Sequence, residues 1–488
     1  KVTRAFSHGI CFVPEVVAMW KKCAGSFLAV LAVCAAAGLV HQEIAPAFAE
    51  EDQSVYFEVA PDTPVVETGG VQRVIVRALV RPVCGKPVLR APLAVALVLD
   101  KSGSMGSGGK LENAKRGVLE ALKMLGQDDV AALVAYDGRS TVLVPPIRVG
   151  RDYGEEVFQR AVRYLQPGGS TALYSGLVTG AGQIRPFVGE GYIPRVVLLS
   201  DGIANVGPSS AAELGSLGRQ LGREEMTITT IGLGLDYNED LMTALAAESG
   251  GNAYFARRGE MLPEIFSRDM ADAVTVTARK LRISLRCADG VRPLRVVGRP
   301  GTMDGGILET TIDNLYGTGE KYALFELELP QGDAGSSLDA AVVRLDYVDT
   351  GTGMSRRQEA PLRISFAKGR ESVERNRDGN IVAQAAIARN AEIREEAVRL
   401  ADQGKAGEAA KLLERRKEDL RQMAPSVGAA APVLEGEAGI FDALSRSILS
   451  PGGLSVEERK KTVNDAYIQK NQQIPAIESG EVVSGDKK

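Results

Sequence analysis

This sequence nearly does without histidine: its 488 residues hold two, His8 and His41. The single tryptophan, Trp20, lies in the same N-terminal stretch. Read from Met19, that stretch has the three-part pattern of a secretory signal. A basic pair, Lys21-Lys22, is followed by apolar residues from Phe27 to Val40, then by Ala47-Phe48-Ala49 before Glu50. The apolar run is shorter than the ~20 residues that span a bilayer. Residues 1–49 are therefore expected to be an upstream extension and signal peptide. Export to a periplasm, cell envelope or extracellular space follows, with membrane association only if the segment stays uncleaved. Without that segment no histidine remains. Ser-His-Asp and Cys-His catalysis are then excluded, as are zinc sites that need histidine, and no enzyme is expected.

Aromatics make up only 5% of the chain, too few to suggest a stacking platform for bases or sugars. The net charge is −4, so no broad basic field exists to attract nucleic acid. Cysteine is also sparse, at five residues, three of which (Cys11, Cys23, Cys34) lie in the N-terminal stretch. Cys84 and Cys287 are left as a possible disulfide in an oxidising compartment. The alternative is a pair of buried thiols.

What is present reads as several domains. Residues 53–90 alternate apolar and polar positions, as half-buried strands do. From Pro92 the pattern changes to buried strands alternating with amphipathic helices. Leu93–Leu99 and Val196–Leu199 are continuous apolar runs of the kind found in parallel strands covered on both faces. Helices are expected near 111–125, 153–165, 173–185, 209–222, 238–249 and 260–276. A second extended piece at 141–144 is expected to stop at Pro145-Pro146. Segment 92–277 is thus an α/β domain with a doubly wound, mostly parallel sheet. Residues 278–367 return to strand alternation and read as a β-sandwich. The strands at 53–90 are expected to join it, making the α/β domain an insertion or a flanked unit. Beyond 368 the chain is helical: a hairpin over 368–423 of tetratricopeptide-like appearance, a linker with short helices over 424–474, and a polar tail over 475–488.

The candidate chemistry lies where strands end. Asp100-Lys101-Ser102-Gly103-Ser104 follows the first buried strand, and Asp201-Gly202 follows the strand near 195–200. Between them runs the loop Gly168-Gly169-Ser170-Thr171. In open α/β sheets, ligands bind outside the carboxyl ends of the strands. Two carboxylates and three hydroxyls form an all-oxygen set, which suits Mg²⁺, Mn²⁺ or Ca²⁺ rather than Zn²⁺ or Cu²⁺. Their two negative charges balance one dication. Side chains this short leave a coordination position for water or an outside carboxylate.

The series Asp100, Ser102, Ser104, Thr171 and Asp201 on this frame resembles the metal-ion-dependent adhesion site of von Willebrand factor A-type domains. The resemblance covers about 92–277. It implies that the serine and threonine hydroxyls bind Mg²⁺ (or Mn²⁺ or Ca²⁺) directly, the aspartates often through water. It implies that an Asp or Glu of a protein partner completes the sphere. In some relatives the last helix of the domain, here 260–276, slides on binding. The flanking strands are loosely similar to integrin and inter-α-trypsin inhibitor heavy-chain arrangements. A rival reading is a structural or regulatory envelope subunit that uses the fold without metal.

Taken singly, Asp100, Asp201 and Thr171 have plainer readings as helix caps. The glycines after Gly103 do not match a phosphate-loop spacing, and Ser104 lacks the nucleophile-elbow pattern. A second acidic group, Asp236, Asn238, Glu239 and Asp240, reads either as a calcium site or as helix capping with dipole compensation.

Overall fold

A computed structural model describes residues 53–83, 91–150, 154–317 and 319–473. The expected signal segment, the tail beyond 475 and Cys84 of the suggested Cys84–Cys287 pair lie outside the described residues. Cys287 packs beside the sandwich core, and burial pushes its thiol up to about 11.

Three strands come first: β1 (Val55–Pro61), β2 (Val65–Glu67) and β3 (Gln72–Pro82). β1 pairs antiparallel with β3. The short β2 pairs in parallel with a strand some 300 residues later, Ser365 standing opposite Val65.

The α/β domain then begins with β4 (Leu93–Asp100), buried at every position. It continues through α1 (Lys110–Lys123), β5 (Val130–Tyr136), β6 (Ser140–Arg148), α2 (Gly154–Arg163), α3 (Leu173–Ile184) and β7 (Ile193–Ser200). α4 (Ala211–Arg223), β8 (Thr227–Leu233), α5 (Glu239–Ser249), β9 (Ala253–Ala256) and α6 (Leu262–Ala273) complete it. The sheet order is β6-β5-β4-β7-β8-β9. All neighbours run parallel except β6, antiparallel to β5. β4 has β5 on one side and β7 on the other, so the winding reverses there. A crevice opens outside the carboxyl ends of strands at such a reversal.

Two expectations change in this domain. β6 does not stop at Pro145-Pro146 but runs through both to Arg148. It lies on the sheet edge, with register shifts opposite Ala131–Val134, where proline's missing N–H is tolerated. α6 ends at Ala273, not 276, because the β-branched run Val274-Thr275-Val276-Thr277 favours extended backbone. Val276 is already in the next strand.

That strand, β10 (Val276–Cys287), re-enters the sandwich with β11 (Arg292–Val297), β12 (Thr302–Asp304), β13 (Ile307–Tyr316), β14 (Lys321–Leu329), β15 (Ser337–Asp349) and β16 (Ser355–Ala367). The two sheets are β1-β3-β14-β11 and β12-β13-β10-β15-β16-β2. β3 and β14 pair from Val80↔Lys321 to Gln72↔Leu329. Val74, Val76, Ala78 and Val80 share one core with Leu281, Ile283, Leu285 and Phe325. The α/β domain is therefore inserted between β3 and β10.

The helical region holds α7 (Arg370–Arg375), α8 (Gly379–Asp402), α9 (Ala406–Met423), α10 (Ala431–Leu449) and α11 (Val456–Asn471). Asp378 caps α8 by accepting from the Asn380 and Ile381 amides. α8 lays Ile381, Ala385 and Ala388 on Ile75, Val297 and Leu324 of the four-stranded sheet. The linker expected from the Ala, Pro and Gly content of 424–438 is corrected: from Ala431 onward it is a 19-residue helix. Pro432 sits in the first turn, where its missing N–H costs nothing. Interior glycines at 436 and 439 cost about 1 kcal/mol each. Full burial of Leu434 and Phe441 returns roughly 1.5–3 kcal/mol each, so packing outweighs propensity. Among the described residues no helix is long and apolar enough to cross a membrane.

Candidate metal centre

Asp100 closes β4 and is fully buried. One carboxylate oxygen accepts the Ser102 amide at 2.8 Å and the other the Ser200 hydroxyl at 2.9 Å. Burial raises its pKa from the ordinary aspartate value, because desolvation penalises the charged form. A cation would offset that penalty.

The turn after Asp100 brings Ser102 Oγ and Ser104 Oγ to 3.0 Å. Ser104 Oγ in turn donates to Asp201 Oδ1 at 2.7 Å. Asp201 is fully buried just past β7. Thr171 is also buried. Its amide donates to Asn205 Oδ1 at 2.8 Å, and its carbonyl accepts the Asn205 amide at 3.1 Å. A Cβ built on Gly202 would stand 3.5 Å from both Ser104 Oγ and Thr171 Oγ1, so these two hydroxyls face the same small space. The five residues singled out from the sequence thus converge on the crevice between β4 and β7.

The plainer readings of Thr171 and Asp201 as helix caps do not hold. The cap of α3 is Ala172 and makes no side-chain cap bond, so the Thr171 hydroxyl is not a helix cap. α4 is capped by Ser210, which forms a reciprocal pair with Glu213, and Asp201 is not involved.

Backbone bonds fix the three loops. Gly168 N donates to Lys101 O at 2.8 Å, Gly103 N to Gly169 O at 3.1 Å, and Ala172 N to Asp137 O at 2.6 Å. Lys101 is ion-paired with Asp137. Gly169 has φ +79°, and a Cβ there would come within 3.0 Å of Asp137. Glycine is needed at that position on both counts.

Among the described residues no group of three or more His, Cys, Asp or Glu could hold a metal. The rim is instead two carboxylates with three hydroxyls. Adjacent oxygens around an octahedral ion with bonds of about 2.1 Å lie about 3 Å apart. The Ser102–Ser104 and Ser104–Asp201 separations are close to that spacing. The residues present fit a small hard dication.

One residue here was not anticipated. Lys110 Nζ donates to Asp201 Oδ2 at 2.7 Å, with the side chain 17% exposed. A signal for it existed. Lys110 opens α1, where the helix dipole disfavours a cation, so some other contact has to hold it there.

The second acidic group is spent differently. Asn238 caps α5 by accepting the Leu241 amide at 3.0 Å. Glu239 is ion-paired with Arg459 and Lys460, and Asp240 with Arg459 at 2.8 Å. The calcium alternative is thereby answered by two cations from α11.

The last helix of the domain is tied down. Buried Asp269 of α6 accepts from Arg195 at 2.9 Å, Thr229 at 3.0 Å and Asn252 at 2.9 Å. Arg195 also reaches Tyr316 of β13 at 3.1 Å. A slide of α6 would have to break these bonds.

Comparison with known proteins agrees with this frame. Residues 95–203 match the family model for the von Willebrand factor type A domain. The chain is 27% identical over 288 residues to an uncharacterised protein of Synechocystis sp., covering 57% of this chain and 66% of that one. It is 26% identical over 179 residues to inter-alpha-trypsin inhibitor heavy chain H3 of Rattus norvegicus, covering 36% of this chain and 20% of the relative. The matches thus span two thirds or less of these relatives' own length. A solved von Willebrand factor type A structure from Catenulispora acidiphila superposes with TM-score 0.65 at 18% identity, over 86% of this chain and 98% of that one. That span is wider than the α/β domain and shows a shared fold. The chain carries a von Willebrand factor type A domain, matched over residues 95–203.

Proposed function

We propose that the chain is a binding protein that holds one hard divalent cation at the crevice between β4 and β7 and uses it to grip a carboxylate of a protein partner. A domain of this type points to protein–protein binding or adhesion. The convergence of Asp100, Ser102, Ser104, Thr171 and Asp201 carries the metal-dependent part of the reading. The two serines and Thr171 would ligate Mg²⁺, Mn²⁺ or Ca²⁺, and the aspartates would supply the balancing charge. The bound ion supplies Lewis acidity toward an incoming carboxylate. The chain's own residues fix where that carboxylate docks. Exposed Ile203 and Val206 follow Asp201 in sequence and offer apolar contact beside the charge. Export, to a periplasm, envelope or extracellular space, rests on the pattern over residues 19–49.

The rival reading is a metal-independent structural or regulatory subunit. The Lys110–Asp201 pair favours it, because a resident ammonium already meets one carboxylate. Calorimetric titration of the chain with Mg²⁺, Mn²⁺ and Ca²⁺ separates the two. The adhesion reading expects one site in the wild type, lost in Asp100→Ala, and partner capture that a chelator abolishes. Absence of a binding heat in the wild type, or equal binding in Asp100→Ala, supports the rival.

A further inference from the structure

We propose that Lys110 sets the charge of the metal crevice: its ammonium weakens cation binding and strengthens capture of the partner's carboxylate. The inference rests on the reading of the crevice as a cation site.

Lys110 is held in place by the local backbone. Gly108 and Gly109 have φ +59° and +66°, conformations that suit glycine, and they turn the chain into α1 with Lys110 as its first residue. A lysine in a first turn works against the helix dipole, so the helix itself gains nothing from it. Its ammonium reaches across to Asp201 Oδ2 at 2.7 Å. It also passes by the loop after β8, 3.6 Å from where a Cβ on Gly234 would stand. The loop's other lysine, Lys101, is ion-paired with Asp137 and is not available to the crevice carboxylates in the same way.

The charge balance gives the consequence. Asp100 and Asp201 together with Lys110 leave the crevice at one negative charge. A dication takes it to one positive charge. Without Lys110 the same states would be doubly negative and neutral. The lysine therefore repels an entering cation and, once the cation is bound, leaves a net positive site for an anion. Repulsion between a unit charge and a dication several Å apart is worth about tenfold in binding even at the dielectric of water, and more in a partly buried site. The same charge favours the incoming carboxylate, by a smaller factor because the anion carries one charge rather than two.

The test uses the whole chain with Mn²⁺ alone, then with acetate at saturating Mn²⁺, in wild type, Lys110→Met and Lys110→Arg. We expect Lys110→Met to bind Mn²⁺ about tenfold more tightly and acetate several-fold more weakly. Lys110→Arg should stay close to wild type in both. Opposite movement of the two affinities is the signature, since a merely structural role would lower both together. If Lys110→Met folds poorly, Lys110→Gln takes its place, and the difference in Mn²⁺ affinity between wild type and that variant should shrink as salt rises. If wild type binds Mn²⁺ and the lysine variants leave both affinities unmoved, the inference fails and the metal reading stands. If neither wild type nor the lysine variants bind Mn²⁺, both fail.

Discussion

Two acidic groups follow neighbouring parallel strands of one sheet. Asp201 follows β7, and Glu239 and Asp240 follow β8 within eight residues of its end. They are put to opposite uses. Glu239 meets Arg459 and Lys460, and Asp240 meets Arg459, which also holds Asp402 at 2.8 Å. Both cations come from α11, more than two hundred residues away, and tie the C-terminal helix to the α/β domain. The tie continues along the chain, with Tyr467 donating to Gly251 O at 2.7 Å and Gln473 bonding both backbone groups of Ala253. Around Asp201 the neighbours are hydroxyls with spare lone pairs and a single lysine from its own domain. A carboxylate closed by two cations is structural. One beside open hydroxyls can still accept a ligand.

The largest effect should come from breaking the closed cluster. Lys460 is 2% exposed and sits with its ammonium on Glu239 and 4.1 Å from the Tyr237 ring. Lys460→Met leaves Glu239 buried beside one cation instead of two. A loss of about 3 kcal/mol is expected in urea unfolding. The crevice should not feel it, and Mn²⁺ affinity should stay within about twofold of wild type, since additivity holds for distant sites.

A smaller effect is pH-dependent. Burial raises the Glu239 pKa, but Lys460 and Arg459 outweigh it and hold the carboxyl below its ordinary 4.5. A depressed folded pKa gives stability that is present above the unfolded value and lost as pH falls through the folded one. The stability difference between wild type and Glu239→Gln should therefore be constant at neutral pH and shrink once pH drops below about 4.5. Melting curves of both proteins from pH 3 to 7 measure it. A gap that widens toward acid would reverse the assigned roles. Smallest of all should be Ser104→Ala in the absence of metal. Ser104 is exposed, but its hydroxyl donates to buried Asp201, so its removal should cost about 1 kcal/mol of unfolding free energy, while abolishing any rise in melting temperature on adding Mn²⁺.

Much of this contrast was readable before any coordinates. The apolar runs of β4 and β7 placed Asp100, Ser102, Ser104 and Asp201 at strand ends, which meet in one crevice at a winding reversal; Thr171 came from the glycine-rich loop, and the family resemblance joined the five into one set. Their plainer readings as caps could be dismissed only with the caps of α3 and α4 in view. The clamp on Glu239 was not readable, since no local pattern announces an ion pair spanning 220 positions. β13 shows no clean apolar alternation because two of its inward positions are polar: Thr310 donates to Pro300 O, and Asn314 to Gly250 O. Both bonds are long-range or loop contacts that alternation does not reveal. The first turns of α10, from Ala431 to about 438, were hidden by the proline and glycines that packing overrides, while its later part was expected as a short helix. Lys110 was legible in principle, as a cation where a helix start prefers an acid.

The central claim is best tested by crystals of the chain soaked in Mn²⁺ and examined by anomalous scattering. One peak bordered by Ser102, Ser104 and Thr171, with none beside Glu239, is the expected result. An empty crevice at saturating Mn²⁺, or a peak among the acids of α5, would contradict it.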